Sequence, residues 1–207
     1  LYYDRTKPFE LTVPFYNDYI DTFSVERPKA YIIPQGWWKV IERLQANGVQ
    51  MGRLKKDTTI EVEWYKIAGY QSGQRQFEGH HLNTDVRIAK NLSKVRFRKG
   101  DYLILMNQLA NRFIIETLEP QGEDSYFAWN FFDPILGQKE GYSDYHFEDI
   151  ASEYVNGNPE LKKKLDERRS TDSAFAKNAG AQLNFVFQNS PWFEPAYLRY
   201  PVYRILK

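Results

Sequence analysis

The groups able to do chemistry in this chain form a short inventory. Three of its 207 residues are histidine and none is cysteine. The lack of cysteine removes disulfides, thiolate zinc sites and cysteine nucleophiles together. His80 and His81 sit side by side in residues 77–82, between runs that alternate like strands. Neighbouring strand residues point to opposite faces, so the pair could share an ion only from an irregular loop, which Gly79 permits. On residue type alone, the two read as structural or surface histidines rather than ligands. Asp124, Asp133, Glu140, Asp144 and Glu148 gather near Trp129 and Tyr142. Glycoside hydrolysis needs two carboxyls at a set separation around a sugar ring, and closeness in sequence does not supply it. Acids ahead of a helix are ordinarily solvated or capping groups, and Asp144 is placed to complement the dipole of a helix carrying Phe147. Residues 141–145 lack the second glycine of a nucleophile elbow. Residues 73–79 lack the Lys-Ser/Thr of a phosphate loop, and no dinucleotide fingerprint follows a strand. The basic run Lys90, Lys94, Arg96, Arg98 and Lys99 is interleaved with Val95 and Phe97, the pattern of a solvated strand face.

These groups need a scaffold, and the composition supports one. Aromatics make up 16% and charged residues 27% of the chain, enough apolar surface to offset the entropy of ordering. The length suits one domain or two small ones. A net charge of +1 gives no global attraction to nucleic acid or an anionic membrane. No apolar run approaches the ~20 residues that span a bilayer. The chain opens at Leu1 without Met or a basic-then-apolar leader, and residues 9–15 already alternate like a strand. That opening reads as a chain cut from a longer one, and processing of a shorter precursor leaves the same signature.

Residues 30–33 form a short apolar run closed by Pro34 and Gly36. Trp37, Val40, Ile41 and Leu44 then make one helical stripe, ended by Asn47 and Gly48, with residues 49–54 as the next strand. This predicts a strand-helix-strand crossover. Period-two alternation follows in residues 59–67, 82–88 and 94–98, and a hairpin-type turn at 99–101 leads into the apolar strand 102–106. After Asn107 the period changes to 3.6. Ala110, Phe113, Ile114, Thr117 and Leu118 form one stripe, and Phe147, Ile150, Ala151, Tyr154 and Val155 another. Asn158-Pro159 starts a charged helix over 160–169. Asp172 caps a last helix whose face holds Phe175, Ala179, Leu183, Val186 and Phe187. Residues 197–206 return as a strand that its nearby prolines place at an edge. The pattern predicts an α+β fold. Its core is an antiparallel, sandwich-like β core with one early strand-helix-strand unit, and its C-terminal third is helical.

The stretch 100–133 carries a further signal. An apolar strand ends in Asn107 and Gln108, Leu118-Glu119-Pro120 stops a helix, and an aromatic cluster carries Trp129, Asn130 and Asp133. With Pro34 to Trp37, residues 142–147, residues 190–194 and Arg199-Tyr200-Pro201, this order resembles the C-terminal region of large bacterial zinc carboxypeptidases of the carboxypeptidase A-like class. The resemblance runs from about residue 28 onward. That class binds zinc through a His and a Glu three residues apart plus a second His far downstream, leaving one position open for water. Here His80 and His81 are followed at that offset by Asn83 and Thr84, and His146 by Asp149 with no later histidine. The resemblance therefore implies a non-catalytic domain without cofactor, the zinc belonging to a parent peptidase domain.

On that reading residues 1–27 are a strand or linker from a preceding domain. Residues 28–207 are the accessory domain: β-rich over 28–107, mainly helical over 108–190, closed by a strand at 197–206. It would buttress the peptidase domain of the same exported polypeptide, or shape its substrate cleft. His80, His81, Asn107, Gln108, Trp129, Asn130 and Asp133 are the expected domain contact or substrate rim. The alternative is an independent glycan- or peptidoglycan-binding module, with Trp37, Trp38, Trp129 or Trp192 stacked on sugar faces.

Overall fold

The computed structural model describes residues 2–21, 23–138 and 141–207; Glu140, one of the clustered carboxylates, lies outside them. The apolar run Ala30–Ile33 (β1) is buried at every position. After the turn at Pro34 and Gly36, helix α1 (Trp38–Ala46) buries Val40, Ile41 and Leu44, the stripe legible in the sequence. Gly48 follows at φ +75°, a conformation in which an L side chain would be strained. Of the strand expected over 49–54, only Gly52–Arg53 (β2) forms. Strands β3 (Thr58–Ser72) and β4 (Asn83–Phe97) pair antiparallel along their lengths. The two runs expected at 82–88 and 94–98 are thus one strand, and the phase changes because Val86 and Ile88 pack on one face of the sheet while Val95 and Phe97 pack on the other. Strands β5 (Tyr102–Leu105) and β6 (Tyr203–Ile205) complete one six-stranded antiparallel sheet of order β2-β5-β1-β6-β3-β4.

The class is α+β, as the patterning implies, and four details differ. A single sheet takes the place of a facing pair, because the layer over one face is helix and aromatic turn. That face packs on α1, on α2 (Asn111–Leu118) and on Phe127 and Phe132. The opposite face draws its apolar cluster from strands and Leu54 alone, with Ile32, Val62, Phe97 and Tyr203 at its centre. The 98–101 turn does not make a hairpin of β4 and β5. Asp101 accepts hydrogen bonds from the backbone N–H of Arg98 (2.8 Å) and of Gln35 (3.1 Å), which ties the turn to the end of β1. Strand β5 therefore runs between β1 and β2, which lie parallel to one another as a crossover unit requires. Third, β6 lies inside the sheet rather than at its edge. Pro195 and Pro201 both precede the strand, so neither removes a donor from its ladder. Residues 9–15 form no strand despite their alternation; no strand of the sheet pairs with them.

One row of side chains crosses the sheet's covered face. Register places Tyr31 and Glu63 on either side of Arg204, on β1, β3 and β6. Glu119, just past α2, completes the group; it is 3% exposed and Arg204 2%. Arg204 pairs with Glu63 and donates to the Glu26 carbonyl. Its Nε lies 3.0 Å from Glu119 Oε1, an ion pair without hydrogen-bond alignment. Tyr31 donates its hydroxyl to the same oxygen at 2.5 Å. Burial raises the Glu119 carboxyl, with Arg204 and the Tyr31 and Tyr65 hydroxyls pulling it back. Burial also works against the guanidinium, yet Glu119 and the surrounding oxygens hold it above its ordinary value.

The C-terminal helices share a separate core. Asn158 caps α4 (Pro159–Thr171) through Leu161 N–H, and α3 (Asp144–Gly157) begins with Asp144 as expected. The last expected helix is two: α5 (Ser173–Ala176), capped by Asp172, and α6 (Ala179–Gln188), capped by Asn178. A second cap side chain three residues upstream of Ala181 restarts the chain, so one stripe becomes two. Phe147, Leu161, Leu165, Phe175 and Phe187 meet between them.

Because the row is buried, removing one partner leaves a charge without compensation. Arg204→Met should cost about 3–5 kcal/mol in urea unfolding, and the double variant with Glu119→Gln should recover part of that loss.

Candidate functional site

The polar anchor of the site is Asn83, the first residue of β4, which is 2% exposed. Its amide donates to the Phe127 carbonyl (3.1 Å) and to Asp133 Oδ1 (2.9 Å), while its backbone N–H donates to the Ala128 carbonyl. Ser72 donates to its Oδ1 at 2.7 Å. These bonds bind the end of the β3–β4 ribbon to the aromatic turn of residues 126–133. Asn130 lies in that turn at φ +65°, a conformation that asparagine tolerates better than most residues. Its amide donates to the His81 carbonyl at 2.8 Å, and its Oδ1 lies 3.2 Å from His80 Nδ1. Hence Asn130 fixes the 77–81 loop on the turn.

The histidines serve different neighbours. His80 stacks edge-on to Trp129, with ring centroids 5.5 Å apart. His81 turns its Nδ1 to the Gly73 carbonyl at 2.6 Å. Among the described residues no three His, Asp or Glu side chains stand close enough to hold a metal. The zinc implied for the parent does not fit these residues.

On the other wall, Trp37 at the start of α1 meets Phe132 edge-on at 5.0 Å. Trp38, one position further, is off the buried stripe and 56% exposed. Trp37, Trp38, His80, Trp129, Phe131 and Pro134 thus line a cleft of about 370 Å3, with Lys39 and Asn130 at its polar margin. Concave, mainly aromatic clefts with a few fixed polar groups are the usual form of a small-ligand or peptide site. Asp133 is tied to the frame of the cleft through the Asn83 amide. Burial raises its carboxyl, and the Asn83 and Asn130 amides and His80 partly reverse the shift.

Of the seven site residues expected from sequence, His80, Trp129 and Asn130 line the cleft, and His81 and Asp133 hold its frame. Asn107 and Gln108 do not join them. They leave the end of β5 that lies beside Ala30, whereas Trp37 follows the other end of β1. Gln108 is spent locally, accepting from Gln50 N–H (2.8 Å) and donating to the Gln50 and Leu105 carbonyls. Trp192 likewise lies elsewhere, against Phe147 and Tyr154 in the helical core. Lys39, Phe131, Pro134 and Asn83 belong to the site without having been expected there. The signal for Trp38 was its place one residue off the helical stripe; Asn83 gave none.

No family model matches the chain, and no solved structure matches it. It is 29% identical over 113 residues to carboxypeptidase 2 of Trichophyton tonsurans and of Trichophyton equinum, covering 55% of this chain and 21% of each relative. Probable carboxypeptidase 2 of Arthroderma benhamiae is 28% identical over 98 residues, 47% of this chain and 18% of its own. The chain thus spans about a fifth of the length of the curated relatives it matches. A relation to carboxypeptidases is therefore supported at a distance, and these relatives are fungal where the sequence motifs suggested bacterial ones.

A raised carboxyl takes up its proton in the folded state before it does in the unfolded chain. Its contribution to stability therefore falls as pH rises from the ordinary aspartate range through the raised folded value. Asp133→Asn should flatten that part of the profile when urea midpoints are compared from about pH 3 to pH 7.

Proposed function

We propose that residues 28–207 form a non-catalytic accessory domain of a carboxypeptidase-like polypeptide, shaping or buttressing the substrate cleft of its peptidase domain. The observation that carries this reading is the aromatic cleft of Trp37, Trp38 and Trp129. It offers contact surface and fixed polar groups, and among the described residues no cluster of metal ligands stands beside it. Alignment to a fifth of each carboxypeptidase 2 relative suits a part rather than a whole enzyme. In this reading the domain contributes binding contacts to the far end of a peptide, and the zinc and reacting groups belong to the peptidase domain. Binding energy gathered remotely from the reacting bond raises kcat/KM without supplying chemistry. The polypeptide would be exported, periplasmic or extracellular. No helix among the described residues is long and apolar enough to cross a membrane.

A second reading, an independent glycan-binding module, is favoured by one observation: three tryptophans meet in one cleft beside His80 and Asn130. Aromatic faces flanked by amide and imidazole groups suit a pyranose ring.

Trp38 separates the two readings because its exposure makes the substitution structurally mild. In the full-length polypeptide, Trp38→Ala should lower kcat/KM on long peptides about tenfold and leave two-residue substrates unchanged. If deleting residues 28–207 changes neither kcat/KM nor the stability of the peptidase domain, the accessory reading is wrong. Binding of wall polysaccharide by this chain alone, abolished by Trp38→Ala, would establish the second reading instead.

A further inference from the structure

Residues 2–21 contain no helix or strand, yet they hold much of the chain's exposed apolar surface. Phe9, Leu11, Val13 and Phe15 repeat every second residue and are 62–89% exposed. The sheet has one long edge without a strand neighbour, β4, whose Val86 carbonyl accepts from Gln121, while the other edge is the two-residue β2. A long unpaired edge presents backbone donors and acceptors that pair readily with any extended segment.

The arm starts from the right place to reach it. Phe23 lines a cavity with Tyr70, Gln71, Asp85, Val86 and Arg87, so the chain enters the folded unit at the N-terminal end of β4. Traced backward from there, residues 23 to 11 extend as far as residues 85 to 97 and run antiparallel to them. With Phe23 set opposite Asp85, two unrelated patterns fall into step. Leu11 and Val13 come opposite Phe97 and Val95, the β4 residues of the sheet's strand-only apolar face. Asp21 and Asp18 come opposite Arg87 and Lys90, and Glu10 opposite Arg98, one residue past the end of β4. Opposed residues on an antiparallel pair share a face, so the apolar period and the charge pairs select the same register. Pro14 is compatible with this place because a seventh strand would itself be an edge, where a missing donor can face solvent.

We infer that residues 11–21 close onto β4 of the same chain as a seventh, antiparallel strand, extending the apolar face of Val95 and Phe97 and capping the basic edge. The occupant is the chain's own arm, since Phe23 already tethers it beside the strand and makes the encounter intramolecular.

The lack of cysteine allows a clean test. A Val13→Cys, Val95→Cys variant should form a disulfide within the monomer under mild oxidation. A Val13→Cys, Ala89→Cys variant, about 20 Å out of register along the strand, should not. In the unmodified chain, amides of residues 11–21 should exchange at least about tenfold more slowly than in an unstructured peptide. Equal cross-linking of both pairs, cross-links found only between two copies, or unprotected amides would each overturn the inference.

Discussion

A guanidinium with almost no access to water is the constraint around which this fold is arranged. Arg204 can be buried only because three separate parts of the chain converge on it. These are Glu63 from the long ribbon, Glu119 from the end of α2, and Tyr31, whose hydroxyl steadies Glu119. A buried ion pair of this kind adds little net stability compared with apolar packing, because desolvation offsets most of the attraction. Its effect is on arrangement. Any register of β6 that moves Arg204 by one residue would send the charge to the opposite, apolar face, beside Ile32 and Phe97.

The same constraint reaches the aromatic cleft. Tyr200 donates its hydroxyl to the Leu118 carbonyl at 2.8 Å, fixing the residue next to Glu119. From there the chain has little freedom before the turn that holds Phe127, Trp129 and Asn130. Tyr126 N–H donates to the Thr117 carbonyl, and Asn83 then captures Phe127, Ala128 and Asp133. The segment Leu118-Glu119-Pro120 looks in sequence like a helix stop followed by a loop. In the structure it joins the charged row to the site.

Much of the architecture was legible because it follows from local periodicity. The α1 stripe, the Asn158 cap and the alternation of β3 are decided by residues within one or two turns of each other. What was not legible depends on pairing between distant segments. Nothing local tells that Asp101 binds Gln35 and so diverts β5 away from β4, or that a three-residue strand near Pro201 belongs inside the sheet. The cleft was half legible for the same reason. Trp129, Asn130 and His80 were conspicuous by type. Their separation from Asn107 and Gln108, and their meeting with Trp38, are properties of topology.

The position of β6 bears on how the chain is made. Strands β2, β5 and β1 form one ribbon and β3 with β4 another, and residues 203–205 are the main seam between them. During synthesis all other strands emerge from the ribosome before that seam does. Until it arrives, β1 and β3 each present an open edge, and Glu63 and Glu119 lack their counter-ion. Pairing of such high sequence separation forms late and slowly. The nascent chain therefore waits as two half-sheets, and its period of greatest risk of association with other chains lasts until residues 203–205 have emerged.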